Sequence, residues 1–71
     1  MERIRELCIL GNLLRTQRLK AGLTQVELAE RASIDRNYIG MIERGERNPT
    51  YLSLLKIVKA LNITIGELLI Q

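Results

Sequence analysis

Seventy-one residues with 11 basic and 8 acidic side chains, no His and one Cys describe one small domain of formal charge +3, a weak lean towards polyanions. That inventory excludes an ordinary four-ligand zinc site and an internal disulfide framework, and no apolar run approaches a membrane span. The core must be modest, so the helices have to pack closely or a partner has to help.

The pattern is all-α, a compact five-helix domain with no strand alternation. The first helix spans Ile4 to Ala21, with Leu7, Leu10 and Leu14 recurring at helical spacing and Gly22 as its stop. The charged start Met1-Glu2-Arg3-Ile4-Arg5-Glu6 does not read as a signal peptide. Gly11 leaves alternatives open, because glycine costs about 1 kcal/mol in a helix interior. One helix from Ile4 to Ala21 is the first reading, with two pieces or a start only near Leu10 as the alternatives. Cys8, between Leu7 and Ile9, reads as a small buried hydrophobe. A nucleophilic role needs a His or second thiol to activate it.

The second helix opens on a capping box, Thr24-Gln25-Val26-Glu27, and ends near Ala32. After the short connection Ser33-Ile34, Asp35 is the natural N-cap of a third helix, Arg36 to Arg44, stopped by Gly45. Pro49 keeps Asn48 out of helical geometry. Thr50 then caps a fourth helix, Tyr51 to Leu61, whose apolar face holds Leu54, Leu55, Ile57, Val58 and Leu61. A second capping box, Thr64-Ile65-Gly66-Glu67, opens a short fifth helix to Ile70.

Helices two and three, short and closely joined, have the form of a helix-turn-helix. Ala29 is small where the two would cross. Leu28, Ile34, Ile39 and Ile42 face the rest of the domain. Arg36, Asn37, Gly40, Met41 and Arg44 are left on the open side or at the N-terminal end.

The stretches Gly22-Leu23-Thr24-Gln25-Val26-Glu27-Leu28-Ala29 and Ile39-Gly40-Met41-Ile42-Glu43-Arg44-Gly45 resemble the Cro/phage-repressor (XRE) type of helix-turn-helix regulator. The resemblance runs from Leu10 to Leu69 and includes Asn48-Pro49-Thr50. Asp35-Arg36-Asn37-Tyr38-Ile39-Gly40, followed by Glu43-Arg44-Gly45-Glu46-Arg47-Asn48, most resembles the controller proteins of restriction–modification systems. One departure is Ser33, at a turn position that is often Gly. Ser tolerates left-handed geometry less well, so the turn is expected to be strained or differently shaped.

The resemblance implies a recognition helix, Arg36 to Arg44, lying in the major groove. Arg36 matches a base-reading position and could grip guanine in bidentate fashion, worth about 1–3 kcal/mol of discrimination. Asn37 and Met41 match base-contacting positions. Gln25 matches a phosphate contact at the start of the second helix. Tyr38, Arg47 and Asn48 fall where phosphate contacts are expected. Arg18 and Glu43 match an internal ion pair that ties the first helix to the end of the third.

A homodimer is expected, because one helix reads only a few base pairs. Leu68 is expected to point inward, with Ile63, Ile65, Leu69 and Ile70 as candidates for a two-fold interface. An apolar tail covering its own core is the competing reading. Residues 1–71 thus read as one helix-turn-helix domain that binds a double-stranded DNA operator in the bacterial cytoplasm. No cofactor, metal, membrane or small-molecule ligand is expected. With no room for a sensing domain, regulation would act through concentration, dimerisation and operator occupancy. A phage repressor, an antitoxin and an interaction module that has lost DNA binding are the alternatives. An enzyme is disfavoured by the lack of His, of a catalytic dyad and of a phosphate-binding Gly-rich loop.

Charge placement matters more than its sum. Ile34 to Thr50 carries three Arg and three acidic residues, and the basic excess lies in the first helix and in Lys56 and Lys59.

Overall fold

The computed structural model describes residues 4–70, which form five helices and no strand. These are α1 (Arg5–Lys20), α2 (Gln25–Ala32), α3 (Arg36–Glu43), α4 (Tyr51–Ala60) and α5 (Ile65–Leu69). The ends differ from the sequence reading by a residue, because Ile4, Ala21, Arg44, Leu61 and Ile70 serve as caps.

The helix starts follow from side-chain capping. Thr24 and Thr64 each complete a capping box, with Glu27 and Glu67 returning the bond to the cap amide. The bonds from the Thr24 backbone and side chain hold the Glu27 carboxyl below the ordinary glutamate value. Asp35 accepts from the Asn37 amide at 2.7 Å, and Thr50 from the Ser53 amide at 3.1 Å. The stops of α1 to α4 share a left-handed residue just past the helix, at Gly22, Ser33, Gly45 and Asn62. Ser33 takes φ 57° and ψ 45°. The turn therefore keeps the glycine-like shape and carries the strain.

Gly11 does not break α1. The helix runs through it because α3 ends against that point. A Cβ on Gly11 would stand 2.4 Å from the Ile42 carbonyl oxygen and 2.5 Å from that of Glu43. The residue is there for close approach between helices rather than to interrupt one. Cys8 is half-buried and fills the space beside Gly45, where a Cβ would lie 2.6 Å from its Sγ.

The core gathers one face from every helix: Leu14, Leu28, Ala29, Ala32, Ile39, Ile42, Ile57, Val58, Leu61 and Leu68, closed by Leu23. α3 packs on both α1 and α2, while α5 closes on α1 and α4. Burial of this apolar surface supplies the main favourable term. No described helix is long and apolar enough to cross a membrane.

Candidate nucleic-acid interface

The α2–α3 unit presents the first turn of α3 outward. Asp35 caps that turn, while Ile39 and Ile42 anchor its inner side and are essentially inaccessible. Arg36 and Asn37 are exposed, and Tyr38 and Met41 are half-buried. Asn37, Tyr38 and Met41 line one cleft of about 350 Å³ with Ile34, Asp35 and Arg47. The Arg47 guanidinium lies 5.8 Å from the centre of the Tyr38 ring, within range of a cation–π contact. Asn48 is exposed on the following loop. Most of the residues singled out as base or phosphate contacts thus share one side of the molecule around α3.

Gly40 departs from expectation. It is buried, not open. A Cβ there would stand 3.0 Å from Arg44 Nη1 and 3.5 Å from Gln25 Oε1. The missing side chain makes room where the start of α2 meets α3.

Beneath this surface lies an internal ion pair. Arg18 donates through Nε to Glu43 Oε2 at 2.7 Å and through Nη2 to Glu43 Oε1 at 3.0 Å. Its Nη1 donates to the Leu23 carbonyl at 2.8 Å. Both residues are only 7% exposed. Gln25 Nε2 adds a third bond to the same carboxylate at 3.1 Å. Among the described residues no buried side-chain nitrogen or oxygen lacks a partner. Two charges taken out of water are tolerated only with such complete hydrogen bonding. The arrangement fixes the end of α3 and the start of α2 to α1. Gln25, expected as a phosphate contact, is at the same time a ligand of the Glu43 carboxylate. Its helix leaves the Gln25 and Val26 amides without intrahelical acceptors, as at any helix start.

At the other end of the chain the apolar residues divide. Leu68 is fully buried, and Ile63 and Ile65 are half-buried against their own core. Leu69 and Ile70 are exposed at 53% and 74%. Leu69 lines a groove with Ile9, Asn12, Leu13 and Thr16 of α1. Sequence reasoning missed Ile9 and Leu13 here, because Ile9 lies off the Leu7–Leu10–Leu14 stripe. It also missed Arg15, which shares a second cleft with Arg18, Gln25, Glu43 and Arg44.

Known proteins with the same pattern are gene regulators. The helix-turn-helix family model matches residues 14–68. The control protein C.SmaI of Serratia marcescens is 43% identical over 61 residues, which span 86% of this chain and 73% of that protein. The crystal structure of the restriction–modification controller C.AhdI from Aeromonas hydrophila superposes with a TM-score of 0.90 at 40% identity, covering 92% of this chain and 98% of that one. The controller C.Esp1396I, solved as a tetramer with its natural 35 base-pair operator, gives a TM-score of 0.85 at 35% identity, covering 92% of this chain and 86% of that one. The match extends over the capped α2–α3 unit and the helices that hold it. The chain therefore belongs to the helix-turn-helix family of XRE-type transcriptional regulators.

Proposed function

We propose that the chain binds a double-stranded DNA operator as a homodimer and acts as the controller of a restriction–modification system, on its own promoter and that of the endonuclease. The observation that carries this reading is the exposed first turn of α3, capped by Asp35 and held rigidly to α1 by the buried Arg18–Glu43 pair. Rigid support matters because a bidentate contact tolerates little misplacement. Arg36 reads a guanine, with Asn37 and Met41 beside it on the base edges. Gln25, Tyr38, Arg47 and Asn48 set the register on the phosphates.

Leu69 and Ile70, with Ile63 and Ile65 behind them, form the two-fold contact. The longest dimension of one subunit is 31 Å. Two subunits side by side suit half-sites about 34 Å apart, one turn of B-DNA. The similarity to C.SmaI and C.AhdI supports the controller assignment. The action is binding rather than catalysis, in the bacterial cytoplasm.

The test is a titration of duplex DNA from upstream of the chain's own reading frame against a shuffled duplex of equal length. The reading expects a tighter complex with the natural duplex, weakening steeply with salt as phosphate contacts require. Equal affinity for both duplexes would refute sequence-specific control. No complex at low salt would favour an interaction module.

A further inference from the structure

The face proposed to meet DNA carries a guanidinium with a built-in partner. Arg44 is the C-cap residue of α3. Its Nε donates to Glu46 Oε2 at 3.1 Å, and the two side chains are 53% and 37% exposed. The guanidinium does not simply extend into solvent. Its Nη1 passes 3.0 Å from the point where a Gly40 Cβ would stand, so the side chain folds back along α3 towards the start of α2. There it lines the cleft shared by Arg15, Arg18, Gln25 and Glu43. Arg18 is committed to Glu43 and Leu23 by short buried bonds. Arg44 is held instead by an exposed carboxylate.

The position of Glu46 is set by the backbone. Gly45 turns the chain at φ 75°, and the Glu46 amide donates to the Met41 carbonyl at 2.8 Å. The Cα of Glu46 is thereby fixed close to the Arg44 side chain. A carboxylate offers a guanidinium the same kind of paired oxygen acceptors that a phosphate does.

We propose that Glu46 is an intramolecular competitor for Arg44, holding the guanidinium that a backbone phosphate would otherwise take and so lowering the affinity for duplex DNA. This rests on the DNA-binding reading above. Contact between Arg44 and a phosphate requires the Glu46 bond to be given up. Exposed pairs are weak, so the exchange is easy and the effect is tuning rather than blockade, about two- to fivefold in affinity. Binding to unmatched DNA is almost wholly electrostatic. The competitor therefore limits how much of the protein is held on unmatched sequence.

The experiment measures binding of one fixed, unmatched duplex across a salt series by fluorescence anisotropy. The proteins are the wild type, Glu46→Gln, Arg44→Gln and the double variant. Glu46→Gln should tighten binding by about two- to fivefold and steepen the salt dependence by up to about one unit. In the Arg44→Gln background the same change should have less than half of that effect on the logarithmic scale. Unchanged affinity in Glu46→Gln overturns the proposal while leaving DNA binding intact. Equal tightening in both backgrounds also overturns it, since Glu46 would then act only as a repelling charge. A wild type that binds no duplex overturns this proposal and the DNA-binding reading together.

Discussion

Replacing Glu43 by Ala removes an acceptor on which three donors converge, the Nε and Nη2 of Arg18 and the Nε2 of Gln25. Arg18 would keep only its bond to the Leu23 carbonyl, with its charge buried and unpaired. Breaking a buried pair from one side costs about 3–5 kcal/mol. A domain of 71 residues holds only about 4–11 kcal/mol in total, at ~0.05–0.15 kcal/mol per residue. The loss is thus a large part of the whole. At ~4–8 °C per kcal/mol for so small a domain, the thermal midpoint should fall by at least about 12 °C. Far-UV circular dichroism during heating measures it directly. Arg36→Ala is the control, because its side chain is exposed and its midpoint should stay within a few degrees. A Glu43→Ala midpoint equal to the wild type would refute the reasoning, reducing the pair to a surface bridge worth little. The double variant Arg18→Met, Glu43→Leu should regain much of the loss, since apolar groups of similar size remove the unpaired charge.

Other substitutions test separate parts of the account. Gly11→Ala should destabilise by about 1–3 kcal/mol, although Ala is the better helix former, because its Cβ meets two fixed carbonyls of α3. A raised urea midpoint would show that α1 can move away at no cost. Ser33→Gly should raise the thermal midpoint by a few degrees, because left-handed strain of ~1 kcal/mol is relieved and only partly offset by the greater freedom of the unfolded chain. A lower midpoint would contradict the strained turn. Leu69→Glu should turn a dimer into a monomer in sedimentation at micromolar concentration. A monomeric wild type would remove the two-fold interface altogether.

What could be read in advance was mainly local. The capping boxes at Thr24 and Thr64 and the caps at Asp35 and Thr50 are set by short-range hydrogen bonds, so their residues announce them. The inward faces of α3 and α4 follow from helical periodicity. Glycines were harder, because their role depends on what packs against them. Gly11 resembles a helix breaker until α3 is seen to end against it, and Gly40 resembles open surface until Gln25 and Arg44 are placed beside it. Ser33 could have meant a different turn, and only the backbone shows that it keeps the left-handed one. The Gln25 bond to Glu43 joins residues 18 positions apart, beyond any local pattern. The groove between Leu69 and α1 likewise needs the chain's two ends brought together.

The central claim is that the exposed start of α3 reads DNA sequence in two symmetric copies. Selection of bound molecules from a random duplex pool, carried out in parallel with wild type and Arg36→Ala, tests it most directly. The account predicts that the wild type enriches an inverted repeat with half-site centres about one helical turn apart. It further predicts that Arg36→Ala loses the preference for one guanine in each half while remaining folded. A pool that stays random with the wild type, or the same enriched sequence from both proteins, would contradict it.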